Sequence, residues 1–207
     1  MERAEAQQSK SNTASWHASI RTVQLLTIAW MCVELSVSLV SGIRAHSVAL
    51  TSFAGDSAVE LLSAIVVLRR FSLGAAAEKK AVRINAVLLY VLAAYIVVTS
   101  ALSFLNNRFR PEPTLLGIAL LVAAAIVMPL LGRAKRRFAT ETQSGALKAD
   151  AAQSDICAYM SWIALVGLII NAVFHLAWAD SVAALLLLPL VISEANEARK
   201  GEVCDCH

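Results

Sequence analysis

Six apolar runs, each near the length that crosses a bilayer, constrain this chain more than any other feature. They lie at about 20–43, 47–68, 84–105, 114–132, 146–172 and 177–194. A helix of ~20 apolar residues spans the hydrocarbon core, where every backbone N–H and C=O must find its partner within the chain. The predicted fold is therefore all-α, a polytopic bundle of six transmembrane helices. Composition agrees, since 58% of the 207 residues are hydrophobic, against ~45–50% apolar in a soluble domain. Charged residues make up only 16% of the chain and fall in short clusters between the runs.

Those clusters predict the orientation. Arg3, Lys10 and Arg21 precede the first run, and Arg69, Arg70, Lys79, Lys80 and Arg83 separate the second from the third. Arg133, Lys135, Arg136, Arg137 and Lys148 separate the fourth from the fifth, and Arg199 and Lys200 follow the sixth. The opposite side carries only Arg44, Arg108 and Arg110. The positive-inside rule then places both termini in the cytoplasm. The net charge of +3 follows this topology and gives no reason to expect nucleic acid as a partner.

Three regions are expected: a polar cytoplasmic segment over 1–19, a transmembrane domain over 20–195 and a short cytoplasmic tail over 196–207. The N-terminal segment is too polar and too long for a cleaved signal peptide. Cys32 and Cys157 fall within spans and Cys204 and Cys206 in the tail, which suggests no disulfide framework.

Polar side chains recur at matching depth in two of the runs. The second span places Asp56 and Glu60 at i, i+4, and the fifth places Gln153 and Cys157 at i, i+4 with Asp150 one turn earlier. A carboxylate at the centre of a membrane helix costs roughly 2.5–3.5 kcal/mol on insertion scales, so two cost on the order of 5–7 kcal/mol. A rise of 1.5 Å per residue puts each pair about 6 Å apart along its helix. The two spans run antiparallel, so the pairs face each other level for level. At 100° per residue Asp150, Gln153, Ser154 and Cys157 share one arc, whereas Asp155 points away.

Carboxylates with a thiol suggest a divalent metal. Zinc accepts Cys, His and carboxylate ligands, and a thiolate favours zinc, cadmium or copper(I) over magnesium and calcium. Gln153 is the weak corner, and the fourth position is open to Asp150, a water or the Gln153 oxygen. The plainer alternatives are buried acids bonded to a neighbouring helix for Asp56 and Glu60, and a small apolar filler for Cys157. Asp150 reads equally as ligand, entrance acid or solvated helix start. Glu34 and Asp180 are secondary candidates that could orient ligands or relay protons. The tail residues Cys204, Cys206 and His207 could collect metal or be simply solvated. His46 and His175 read as interfacial, and the basic stretch around Arg133 to Arg137 as a topology signal that could also touch anionic lipid.

The motif S-V-A-L-x₅-D-S-x-x-E at 47–60 and A-D-A-x-Q-x-x-x-C at 149–157 resemble the paired signatures of cation diffusion facilitators. Glu34-Leu35, Ser41-Gly42 and Trp178-Ala179-Asp180-Ser181 also match that family's pattern, and the resemblance covers about 20–195. It implies a six-helix, proton-coupled metal exporter that acts as a homodimer, in a short bacterial branch without the cytoplasmic ferredoxin-like domain. Carried over by position, its metal ligands fall on Asp56, Glu60, Gln153 and Cys157. Gln153 stands where the family has His and Cys157 where it has Asp, and extra residues around Ile43 to His46 lengthen the first turn.

The expected function is export of a divalent transition metal, zinc first with cadmium or cobalt as further cargoes, by proton antiport with alternating access across the bacterial inner membrane. The metal is cargo, and no cofactor is expected. Metal ligands must be deprotonated to bind, which ties metal to proton movement. The alternative is a metal-binding membrane sensor or regulator without transport. An intramembrane enzyme is disfavoured, because no nucleophile–base pair, lipid-phosphate motif or His-rich metal motif accompanies the acids.

Overall fold

The computed structural model describes residues 2–73, 75–105, 111–112, 114–142 and 145–200. In chain order the helices are α1 (Glu2–Arg44), α2 (Val48–Leu73), α3 (Ala75–Leu105), α4 (Leu115–Thr142), α5 (Gly145–Phe174) and α6 (Trp178–Lys200). Each holds a segment long and apolar enough to cross a membrane, and the described residues contain no strand. The chain is an integral multi-pass membrane protein with the expected six-span all-α architecture.

Two boundaries differ from the sequence expectation. Helix α4, expected to end near 132, continues to Thr142, so Arg133–Arg137 are helical and not a loop. Arg, Ala and Lys are good helix formers, and nothing after Gly132 breaks the pattern before Thr142. The polar residues ahead of the first span likewise belong to α1, which begins at Glu2. Cys204, Cys206 and His207 lie outside the described residues.

Helix α2 packs against α1, α3, α5 and α6, while α5 packs against α2, α4 and α6. Of the α2 span 61% is buried, against 22% of the α3 span, so α2 is the central helix and α3 a peripheral one. Phe53, Met31, Leu50, Leu121, Met160 and Leu168 fill the core around it. Val33, Val87, Val91, Val98, Ile126 and Val166 are exposed, which is the apolar outer surface a bilayer solvates. Helices α5 and α6 meet closely because Gly167 has no side chain: a Cβ there would stand 2.4 Å from Ala183 Cβ.

One end of the bundle carries the α1–α2 and α5–α6 turns, and the other carries the basic end of α4. At the turn end, α1 closes with Ser47 N–H donating to Gly42 O at 2.9 Å and His46 N–H to Ile43 O at 3.3 Å. This pair of hydrogen bonds is a Schellman cap, and it puts His46 in the left-handed region at φ 52°. His175 ends α5 with φ 54°. Both exposed histidines have a backbone role at helix ends.

Candidate functional site

The buried stripe of α1 runs Ile20, Gln24, Thr27, Met31, Glu34, a repeat of alternating four- and three-residue steps that holds one helix face to the core. Three of its members are polar. Glu34, fully buried, accepts a hydrogen bond from Ser57 Oγ at 2.8 Å and one from Cys157 Sγ at 3.4 Å, both on Oε1. Asp56 stands beside this group on α2, where it feels the charges of Glu60 and Glu34 and adjoins Cys157. Both Asp56 oxygens are buried and without a hydrogen-bond partner. The sequence placed Glu34 among secondary candidates; the structure seats it with Asp56 and Cys157.

One turn nearer the basic end, Glu60 Oε1 accepts from Ser154 Oγ at 2.5 Å and lies 3.3 Å from Lys135 Nζ. Lys135 also lies 3.1 Å from Asp150 Oδ2 and donates to Ser154 Oγ at 2.8 Å. Gln24 Nε2 donates to Asp150 Oδ2 at 2.8 Å. Lys135, Glu60 and Asp150 have no exposed surface, and Lys135 is the only buried cation among the described residues. The expected pairing of α2 with α5 keeps Asp56 beside Cys157 but shifts by one residue at Glu60. Glu60 meets Ser154, and its neighbour Gln153 turns toward Glu194 of α6. Neither carboxyl oxygen of Glu194 meets a donor in hydrogen-bond geometry.

The remaining candidates separate from this centre. Asp155 pairs with Arg136 on the partly exposed α4–α5 face, as its position on the helix wheel predicts. Asp180 is engaged at the turn end: its Oδ1 accepts from Ser47 Oγ at 2.5 Å, and its Oδ2 from the N–H groups of Val48 at 2.8 Å and Ala49 at 3.2 Å. It caps the start of α2 and stands away from the acids around Lys135.

Five buried carboxyls, Glu34, Asp56, Glu60, Asp150 and Glu194, therefore line the interior between α1, α2, α5 and α6 with one ammonium from α4 among them. Charges in such a setting are tolerable only when paired, coordinated or neutralised. The unpartnered oxygens of Asp56, Glu60 Oε2 and Glu194 are oxygen donors with spare capacity for a proton or a cation. Cys157 and the Gln153 carbonyl oxygen could add a soft and a neutral donor. Among the described residues no three His, Cys, Asp or Glu side chains converge tightly enough to hold one ion in this arrangement. The Lys135 ammonium lies between Glu60 of α2 and Asp150 of α5, within 3.3 Å of one and 3.1 Å of the other.

Sequence reasoning passed over Lys135, Gln24 and Glu194. The signal for each was present as helical periodicity. Met128, Gly132, Lys135 and Ala139 form one buried stripe on α4, and Leu187, Val191, Glu194 and Ala195 form another on α6. Lys135 was hidden by its basic neighbours Arg133, Arg136 and Arg137, which are exposed.

No protein-family model matches the chain. Over 183 residues it is 25% identical to the manganese efflux system protein MneS of Bacillus subtilis (strain 168). The match takes in 83% of this chain and 62% of that relative's length.

Proposed function

We propose that this protein exports a divalent transition metal from the bacterial cytoplasm in exchange for protons, by alternating access around Asp56. The observation that carries the reading is the Asp56 carboxyl, wholly buried on the central helix with both oxygens unpartnered among Glu34, Glu60 and Cys157. Its similarity to a manganese efflux protein supports metal as the cargo. The positive-inside expectation makes the basic end of α4 the cytoplasmic side.

On this reading metal enters past Asp150 and is taken by Asp56 and Glu60, with Cys157 and Gln153 completing the shell. Deprotonation of these ligands releases protons as metal binds, and protons from the outside restore them after release. Glu34 holds the Cys157 thiol through their hydrogen bond and offers the next acid on the proton's route. Zinc is the first cation when the thiolate enters the shell, with cadmium beside it and cobalt a further cargo. Manganese is favoured if the shell is built from carboxylate and amide oxygens alone. The exporter is expected to work as a homodimer in the inner membrane.

Everted vesicles loaded against an imposed pH gradient test this directly. Metal uptake that follows the gradient and is lost in Asp56→Ala supports antiport. Flux insensitive to the gradient would mean a passive channel. Metal binding without flux would favour a sensor or regulator, a reading that the neutral Gln153 and the pinned Lys135 lend some support.

A further inference from the structure

We infer that Lys135 is a tethered counter-cation of the transport path: its ammonium holds the place between Glu60 and Asp150 that an arriving metal ion must take. The inference rests on the metal-transport reading above and adds to it a gate carried by α4. Lysines near the end of a membrane helix ordinarily extend to the interface, where the charge stays hydrated. Arg133, Arg136 and Arg137 are exposed in that way. Lys135 alone of the group turns inward and is completely buried, in the same stripe as Met128, Gly132 and Ala139.

Its partners are the acids that a cation approaching from the basic end meets first. Nζ lies 3.1 Å from Asp150 Oδ2 and 3.3 Å from Glu60 Oε1, with Ser154 Oγ at 2.8 Å as the third contact. Gln24 holds Asp150 from the α1 side through the same Oδ2. A divalent cation and an ammonium compete for these oxygens and repel each other at such distances, all the more in a poorly solvated interior. Metal therefore advances to Asp56 only as Lys135 withdraws along α4, and the four-carbon stem gives the ammonium room to swing. When metal leaves, the returning ammonium balances one of the two negative charges of Glu60 and Asp150, and a proton restores the other. The lysine thereby loosens metal binding and speeds its release.

The test compares manganese and zinc affinity of purified wild type, Lys135→Met, Asp150→Asn and the Lys135→Met/Asp150→Asn double variant, with transport measured in proteoliposomes. Removing the positive charge is expected to tighten metal binding by about tenfold or more and to slow turnover at saturating metal. A purely structural lysine predicts weaker binding and slower transport together. If Lys135→Met does not fold, the double variant against Asp150→Asn carries the comparison, because both lack the Asp150 charge and differ only in the lysine. Tighter binding in the double variant supports the counter-cation. Equal or weaker binding overturns it while leaving the transport reading standing. A folded wild type that binds none of manganese, zinc, cadmium and cobalt overturns the transport reading, and this inference with it.

Discussion

Asp180 Oδ2 accepts the backbone N–H of Val48 at 2.8 Å, so helix α6 supplies the cap of helix α2. The same carboxyl binds Ala49 N–H and Ser47 Oγ, so the first two free donors of the central helix are satisfied from across the bundle and the third, Leu50 N–H, by Ser47 Oγ. Hydrogen bonds to a buried charge are each worth about 1.5–3 kcal/mol. Asp180→Ala is therefore expected to cost about 2–4 kcal/mol of stability, and Asp180→Asn less, since its amide oxygen still accepts. Thermal unfolding in detergent checks the order wild type, Asn, Ala. An Ala variant as stable as wild type would remove the capping role.

Asp56 has the opposite signature. Its oxygens make no hydrogen bond, so the carboxyl costs stability where it stands. Asp56→Ala is expected to leave unfolding stability unchanged or to raise it by about 1 kcal/mol, while metal transport is lost. A large destabilisation would mean that Asp56 has a structural partner after all.

On the proposed reading, the Cys157 thiolate sets the preference among cations. Cys157→Asp should keep transport but move preference from cadmium and zinc toward manganese, because it exchanges a soft thiolate for a carboxylate. The relative rates for the three metals in proteoliposomes give the answer. An unaltered ion profile would make Cys157 only the donor to Glu34 seen at 3.4 Å.

Asp155 should prove dispensable. Its ion pair with Arg136 is partly solvated, with side-chain exposures of 29% and 60%, and such pairs are worth ~0–1 kcal/mol. Asp155→Asn is expected to shift stability by less than about 1 kcal/mol and to leave metal affinity intact. A loss of affinity comparable with that of an Asp56 variant would bring Asp155 into the path.

Much of this was readable from residue order. Run length gave the six spans because hydrocarbon leaves the backbone no other spanning form among such sequences. The i, i+4 spacing gave Asp56, Glu60 and the inward arc of α5, and the same wheel sent Asp155 outward. What escaped was the partner of each acid. Asp180 faces two backbone N–H groups that only the folding of α6 against α2 brings near. Lys135 shares a basic cluster with Arg133, Arg136 and Arg137, and only its place in the buried periodicity of α4 sets it apart from them. A one-residue shift in the pairing of α2 with α5 sets Ser154 opposite Glu60 in place of Gln153.

Proton release on metal binding tests the central claim most directly. Zinc or manganese is titrated into purified protein in weakly buffered detergent, and the pH change is read with an indicator. The account predicts release of about one or more protons per metal from wild type and none from Asp56→Ala. Equal release by the two proteins, or metal bound tightly by wild type with no proton displaced, would contradict it.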